Sequence, residues 1–514
     1  MAEEDKEATE EPAETKEVVE GGLWKLYCSR ALTAWGDRLW AFGLALFLFK
    51  VRPQDLLIVA LYGLVNCAVS IALGASLGGW IDATGRLRAA KVFLVVQNSS
   101  VAAACLALAL YFHWLDYWVE KIGEEAASLA IAAVTMAISL VSNLASIGSK
   151  ISVEKDWIVV IAGGDNNKLA LMNSISRTID LVCLTLTPTL AGILFDFTSY
   201  LVAALFIGGW NLVSVFLEIS LLVSIHRQFP ALSETKAAAR ASGGGLTGSL
   251  QAWRLYFLHP TRLAGLGLAL LYMTVLGFDA ITFSYMLLQC VPESVLGGLV
   301  AVSALVGVLG AATFPPLRRL LGVERAGVVG MACLVASLAL CVASVWLPGS
   351  PFDPQKVLEA NSTMEANSTM AASEVDCSEP PPLTSVAVLL AGIILARFGL
   401  WVADLAVCQI QQEQVEEEKR GVIGGVQNSL QQFFTLAEFL LVILMPNPHT
   451  FGVLILLSFT FVTLGGVSLT AYAGLRGHLA CSGYRAARTQ EEPGEPGEPG
   501  EPGAQPPGEL LAVA

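Results

Sequence analysis

The sequence predicts an all-α polytopic membrane protein, with twelve transmembrane helices in two six-helix lobes. Hydrophobic residues make up 54% of the 514 residues and charged residues only 14%. With a mean hydropathy of +0.63, the chain is too apolar for a soluble globular protein. A helical span needs about 20 mostly apolar residues. Twelve such stretches occur, at residues 27–49, 56–80, 90–112, 125–149, 173–195, 200–225, 261–289, 294–316, 326–347, 384–411, 421–445 and 450–474.

The segments between the spans define the domain organisation. We predict an acidic, disordered cytoplasmic tail (1–22), an N-terminal lobe (23–227), a cytoplasmic linker (228–259), a C-terminal lobe (260–476) with an extracellular loop (349–383), and a disordered cytoplasmic tail (477–514). Much of the net charge of −14 lies in the two tails. It therefore indicates solvated ends rather than a basic partner, and we expect no nucleic-acid partner.

Basic residues predict the orientation, because Lys and Arg accumulate in cytoplasmic loops. They follow the even-numbered spans. The groups are Arg86, Arg88 and Lys91 after span two; Lys150, Lys155, Lys168 and Arg177 after span four; and Arg227, Lys236, Arg240 and Arg254 after span six. Arg318, Arg319 and Arg325 follow span eight, and Lys419 and Arg420 follow span ten. Both termini are therefore predicted to be cytoplasmic. Two glycosylation sequons, at Asn361 and Asn367, lie in the long loop after span nine, which the same rule places outside the cell.

Span one contains a carboxylate, Asp37. A charged residue at bilayer depth costs about 2.5–3.5 kcal/mol on insertion scales, and such residues usually line a water-filled cavity and handle ions or protons. Asp37 therefore indicates transport. The alternative is a structural ion pair with its neighbour Arg38.

The loop after span two runs from Gly78 to Arg88 and reads GGWIDATGRLR. It resembles the G-x-x-x-D-x-x-G-R signature of the major facilitator superfamily. Its glycines permit close helix approach and a tight turn. Asp82 and Arg86 can make charge-assisted contacts that hold the cytoplasmic face shut. The alternative is an ordinary short loop.

The two halves of the chain carry matching features. An Asn-Ser pair opens both span five and span eleven, at Asn173-Ser174 and Asn428-Ser429, and Asp37 of span one corresponds loosely to Asp279 of span seven. Alternating-access transporters use such repeats, with substrate bound near the midplane between the halves.

Six segments, in order, resemble the ferroportin family of cellular iron exporters. They are WGDRLW at 35–40, LVVQN at 94–98, DWIVVIAG at 156–163, GWNLVS at 209–214, LYMTVLGFD at 271–279 and RGVIGGVQNS at 420–429. The similarity extends from about residue 27 to residue 480. It implies a plasma-membrane protein that exports a divalent metal, most readily Fe²⁺, by alternating access.

The resemblance also implies a cation site formed by Asp37, Gln97, Asn211 and Glu218. Asn211 and Glu218 are seven residues apart, so they share one face of a helix. These four side chains would form an all-oxygen cluster suited to a hard cation, and Ca²⁺ is a candidate bound ion. The alternative is that each forms a helix-packing hydrogen bond. The resemblance assigns Asp180 to this cavity or, with Arg177, to the cytoplasmic gate.

Three positions depart from the family pattern. Ala41 and Gly466 stand where the family has histidine, and Ala280 stands where it has cysteine. Imidazole and thiolate favour transition metals over Ca²⁺ and Mg²⁺, and histidine carries protons near neutral pH. Selectivity for iron and proton coupling are therefore in question. Oxygen ligands for a second metal site remain at Asp279 and Asp404, and Cys290 and Cys408 are sulfur candidates.

The resemblance also implies that the family cysteine, which Ala280 replaces here, binds the hormone hepcidin. We therefore expect poor control by hepcidin. Other interpretations are a Ca²⁺-responsive or other-cation facilitator, and a non-transporting paralogue that senses metal or assembles with a partner. We expect no tightly bound cofactor. Enzymatic activity is not expected, because no nucleophile–base pair or phosphate loop stands out.

Overall fold

A computed structural model describes residues 13–52, 56–234, 246–277, 282, 285–286, 289–291, 293–352, 382–445 and 450–490. Across these ranges the regular structure is helical, with no strand. Nine helices precede the linker or lie within it: α1 Ala13–Val51, α2 Leu56–Ala83, α3 Arg86–His113, α4 Leu115–Ile122, α5 Glu124–Lys150, α6 Ile158–Ala162, α7 Asn166–Phe197, α8 Tyr200–Gln228 and α9 Leu246–Leu258. A further six follow: α10 Arg262–Leu270, α11 Glu293–Leu321, α12 Val323–Ser344, α13 Thr384–Gln414, α14 Arg420–Leu444 and α15 Phe451–Gln490.

Within the described ranges, nine helices are long and apolar enough to cross a membrane. Their spans are Leu61–Ala83, Arg86–His113, Glu124–Ala162, Asn166–Phe197, Tyr200–Gln228, Val295–Leu321, Val323–Ser344, Thr384–Gln414 and Phe451–Arg476. The polytopic all-α prediction is confirmed. The count of twelve stays a prediction, because three predicted spans are not among these nine helices. The first falls on the charged α1 and the eleventh on the glutamine-rich α14. The seventh begins with α10, and non-helical backbone follows Leu270.

Two helix ends differ from the predicted tails. Helix α1 begins at Ala13, inside the predicted disordered tail, because its first residues include the good helix formers Ala, Glu and Lys. Helix α15 continues to Gln490, beyond the predicted boundary at 476. The described residues through Tyr472 belong to one compact unit, and residues 473–490 belong to a second. The boundaries of the two lobes and the linker stay predictions.

The helix of the fourth predicted span, 125–149, continues beyond the predicted end. A π-helical segment, Ile151–Trp157, joins α5 to α6, so the chain remains helical as far as Ala162. Wide turns of this kind often occur at functional sites. Lys150 and Lys155, which the sequence places in a cytoplasmic loop, are therefore helical residues. The predicted end of span four at residue 149 is therefore too early, because the helical backbone continues through the polar sequence ISVEKDW.

Each half contributes an apolar core. One cluster packs Leu44, Phe47 and Leu108 among helices of the first half, and a larger one packs Phe314, Leu334 and Ile410 among helices of the second. Among the described residues, the most extensive contacts between the halves are those of α2 with α14 and of α7 with α11.

The two Asn-Ser pairs lie at these contacts in matching positions. Ser174 Oγ on α7 donates to the carbonyl of Ala311 on α11 at 2.6 Å. Ser429 Oγ on α14 donates to the carbonyl of Ser70 on α2 at 3.2 Å. A serine of each half therefore binds the backbone of the opposite half, as an internal repeat would require.

Glycines bring α2 and α14 into direct backbone contact. Gly74 and Gly78 on α2 face Gly425 and Gly421 on α14, and a Cβ atom at Gly78 would overlap the Gly421 carbonyl. Small residues four apart allow this close approach in membrane helices. Gly78, the first glycine of the motif after span two, therefore lies at the contact between the halves.

We predict that Gly78→Ala lowers the melting temperature of the detergent-solubilised protein. The added methyl group should cost about 1–3 kcal/mol through overpacking. Gly63→Ala is the matched control, because a Cβ atom there meets nothing within 4 Å. Alanine is preferred to glycine inside a helix by about 0.5–1 kcal/mol, so the control should be neutral or stabilising. Equal melting temperatures for the two variants would contradict a tight α2–α14 contact.

Candidate metal-binding site

A central cavity of about 290 Å³ lies between helices of the two halves. Its charged lining residues are Arg30, Asp37, Arg38, Lys150, Glu154, Lys155, Arg177, Asp180 and Asp404. Amide side chains also line it, at Asn143, Gln427, Asn428, Gln431 and Gln432. Charged side chains within a helical membrane bundle usually mark an ion or substrate pathway.

Asp37 reaches this cavity from α1. Gln97 Nε2 on α3 donates a hydrogen bond to Asp37 Oδ1. Ser146 Oγ on α5 donates to Oδ2 at 2.8 Å, and Lys150 Nζ lies 3.2 Å from the same oxygen. Lys150 is therefore the ion-pair partner of Asp37. Across the described part of the chain no ion pair joins Asp37 to Arg38. The alternative of a structural ion pair with Arg38 therefore does not apply.

Gln97 is buried, with 4% of its surface exposed. Its amide nitrogen contacts Asp37, whereas its Oε1 is buried and has no hydrogen-bond partner among the described residues. A buried carbonyl oxygen without a donor is costly. A cation beside Asp37 would satisfy this oxygen after a rotation of the amide.

Glu218 and Asn211 lie beside the same part of α1. Glu218 Oε2 is 2.5 Å from Thr33 Oγ1, one turn before Asp37, and Oε1 accepts from Ser214 Oγ at 2.5 Å. Asn211 Nδ2 donates to the carbonyl of Ile207 at 2.8 Å. A Cβ atom built on Gly36 would lie 3.5 Å from Asn211 Oδ1. The four residues of the predicted cation site thus gather around α1.

This donor set is hard and oxygen-rich. It combines two carboxylates with amide and hydroxyl oxygens, which suit Ca²⁺ or Mn²⁺ and also accept Fe²⁺. Among the described residues, no group of three or more His, Cys, Asp or Glu side chains could hold a metal ion. The candidate site therefore offers two carboxylates, Asp37 and Glu218.

A second ionic network crosses the cavity. Arg30 Nη2 lies 2.5 Å from Glu154 and 2.7 Å from Asp180. Arg177 Nη2 on α7 lies 2.6 Å from Asp404 Oδ2 on α13, and its Nη1 lies 3.8 Å from Asp180. Asp180 and Arg177 thus lie together at the cavity, and the Arg177–Asp404 pair links the two halves.

Only part of the predicted second metal site lies among the described residues. Asp404 binds Arg177, while Asp279 and Ala280 lie outside the described residues. Cys290 is disulfide-bonded, so it cannot act as a thiolate ligand. Cys408 Sγ is 3.0 Å from Lys155 Nζ. Gly466, at the family histidine position, lines a separate apolar groove between α12 and α15.

Asp82 and Arg86 lie at a junction that we call the closed face, formed by Asp82, Arg86, Asp156, Glu417 and Arg420. Asp82 accepts hydrogen bonds from the backbone N–H groups of Gly421 and Val422, each at 2.8 Å. A carboxylate from the first half thus caps the N-terminus of α14, where unpaired N–H groups and the helix dipole favour negative charge.

Arg86 completes the closed face. Its Nε lies 3.2 Å from Asp156, and its Nη2 binds Glu417 in the turn before α14. Arg420 Nη1 lies 3.9 Å from Asp156. These side chains connect both halves on the side that the sequence predicts to be cytoplasmic.

The sequence did not identify five of the residues now found in these networks. Arg30 lies within the first predicted span, and the argument applied to Asp37 would also have selected it. Lys150 and Glu154 were hidden by the missed π-helical segment. Asp156 and Glu417 acquire partners only in the folded chain.

Comparisons with known proteins agree with this architecture. A family model described as Ferroportin1 (FPN1) matches residues 20–462. Human ferroportin is 36% identical, over 87% of this chain and 90% of its own length. A bacterial homologue of the iron transporter ferroportin, solved in an outward-facing state, is 25% identical with a TM-score of 0.69, covering 88% of this chain and 98% of that one. The proton:xylose symporter XylE of the major facilitator superfamily shares the fold, at 10% identity, a TM-score of 0.60 and coverage of 88% and 95%.

Proposed function

Because the chain belongs to the ferroportin family, we propose that it carries a divalent metal, Fe²⁺ first among them, out of the cell across the plasma membrane. It is a transporter of the major facilitator superfamily fold and not an enzyme. Asp37 is the central ligand, and Gln97, Asn211 and Glu218 complete the site.

The arrangement of Asp37 and Gln97 carries this proposal. Asp37 lines the cavity and accepts a hydrogen bond from the buried Gln97, whose Oε1 lacks a partner among the described residues. An amide rotation would direct that oxygen toward the carboxylate, so a cation between them would bind both. Glu218, which binds Thr33 one turn before Asp37 on α1, supplies the second carboxylate. Two carboxylates balance the charge of one dication.

Alternating access follows from the contacts between the halves. The closed face and the Arg177–Asp404 pair join the halves at polar and charged groups, and such contacts can separate when the halves rock. Asp37, Gln97 and Glu218 all lie in the first half, so the site moves as a unit. We propose that this motion exposes the site first to the cytoplasm and then to the exterior.

The orientation rests on the loop charges. Arg318 and Arg319 lie in the last turn of α11, Lys419 directly precedes α14, and Arg420 is its first residue. These positions support cytoplasmic termini under the positive-inside rule. The sequons at Asn361 and Asn367 lie outside the described residues, and we propose that they are extracellular glycosylation sites.

An alternative cargo has one observation in its favour. The cation site has oxygen ligands, and among the described residues no cluster of histidine or cysteine selects a transition metal. Ca²⁺ and Mn²⁺ therefore fit the site as well as Fe²⁺ does. A Ca²⁺-responsive or other-cation facilitator is the second candidate function.

We predict that Asp37→Asn reduces metal efflux from proteoliposomes at least about tenfold, because a charge-assisted contact is worth about 1.5–3 kcal/mol. The liposomes are loaded in parallel with ⁵⁵Fe²⁺, ⁵⁴Mn²⁺ or ⁴⁵Ca²⁺. Asp116→Asn, on the exposed face of α4, is the matched control and should transport normally.

Each outcome of this assay selects one function. Efflux of ⁵⁵Fe²⁺ that depends on Asp37 supports iron transport. Efflux of ⁴⁵Ca²⁺ alone replaces iron with the other-cation alternative. Metal binding without efflux of any ion would contradict transport and favour a sensing or partner role.

We further predict that hepcidin neither binds nor inhibits this protein effectively, because Ala280 offers no sulfur where the family has cysteine. Labelled hepcidin should bind cells that express Ala280→Cys more strongly than cells that express the native chain. Tight binding to the native chain would refute this prediction.

A further inference from the structure

The ion pair between Lys150 and Asp37 is not explained by metal binding alone. Lys150 Nζ lies 3.2 Å from Asp37 Oδ2, within the space that a metal bound to that oxygen would need. An ammonium and a dication cannot share this position, because like charges at such a distance repel strongly. Metal binding at Asp37 therefore requires that Lys150 move away.

The local structure holds Lys150 at this position. Ser146 and Lys150 are one turn apart on α5, and both contact Asp37 Oδ2. The π-helical segment begins at the next residue, Ile151. The Lys150 side chain is 43% exposed and lines the cavity. A flexible, strongly hydrated lysine head group can therefore swing from the carboxylate into the cavity.

Within the described part of the chain, Arg38, the nearest alternative counter-ion, does not pair with Asp37. Arg38 follows Asp37 directly and lines the same cavity, yet among the described residues it forms no ion pair. Arg30 pairs through its Nη2 with Glu154 and Asp180. Lys150 is thus the one cation in the described structure that is bound to Asp37.

We propose that Lys150 is a tethered counter-ion, which neutralises Asp37 in the unloaded carrier and is displaced when the metal binds. The proposal rests on the function proposed above and adds a residue that sets specificity and coupling. A monovalent ion gains no charge advantage over the ammonium that it must displace, whereas a dication does. Lys150 therefore favours divalent over monovalent cations.

The same residue enables the empty carrier to return. An unpaired carboxylate enclosed between helices is costly, so an empty site without Lys150 resists the closure that the return step requires. Asp37 and Lys150 both lie in the first half of the chain, on α1 and α5. Their pair can therefore persist while the contacts between the halves break and re-form.

Lys150→Met tests this proposal, with Mn²⁺ as the binding probe and as the transported ion. Purified Lys150→Met should bind Mn²⁺ at least about tenfold more tightly than the native chain, because the competing charge is gone. Net ⁵⁴Mn²⁺ efflux should fall at least about fivefold, because the empty carrier returns slowly. Exchange of ⁵⁴Mn²⁺ against external Mn²⁺ should stay within about twofold of native, because only the loaded carrier moves.

Three further variants control the measurement. Lys150→Arg keeps the charge and should bind Mn²⁺ with nearly native affinity, even if Lys150→Met proves unstable. Lys121→Met removes an exposed lysine that contacts only Tyr117 among the described residues and should behave as native. Asp37→Asn should lose binding, net efflux and exchange together.

The outcomes separate this inference from the proposed function. Unchanged or weaker Mn²⁺ binding by Lys150→Met, or equal losses of net efflux and exchange, would overturn the role of Lys150. Tighter binding by Lys150→Met without transport by any variant would support the tethered counter-ion and overturn the transport function. No binding by any variant would overturn both.

Discussion

Compensation of the Asp37 carboxylate is the constraint on which the site depends. A charge within a membrane bundle requires a partner or water, and here Gln97, Ser146 and Lys150 supply three contacts from two helices. The other cavity charges follow the same rule. Arg30 binds two carboxylates, and Arg177 binds Asp404 across the halves. A metal that binds Asp37 must therefore replace Lys150 as the positive charge that neutralises this carboxylate.

The closed face connects metal binding at Asp37 to movement of the halves. Asp82 caps α14, and glycines bring α2 and α14 into backbone contact. Both features hold the halves together. Hydrogen bonds to helix termini and ion pairs can be regained in water when the face opens. The architecture thus separates a stable site within one half from breakable contacts between halves.

Much of this arrangement could be predicted from sequence. The apolar spans identified the fold class, and the isolated charge of Asp37 identified the cavity. Asn211 and Glu218 share a helix face, as their spacing of seven predicts. The partners could not be predicted, because Lys150 appeared to follow a helix that in fact continues through a π-helical turn. Likewise, Asp82 reaches the backbone of Gly421 only after the chain folds.

The central claim is that Asp37 and its oxygen-bearing neighbours bind the metal directly. X-ray absorption spectroscopy at the iron edge, on protein loaded anaerobically with one equivalent of Fe²⁺, tests it most directly. We expect a first coordination shell of oxygen and nitrogen atoms only, and loss of the bound iron in Asp37→Asn. A sulfur ligand in the native protein, or an unchanged spectrum in Asp37→Asn, would contradict the account.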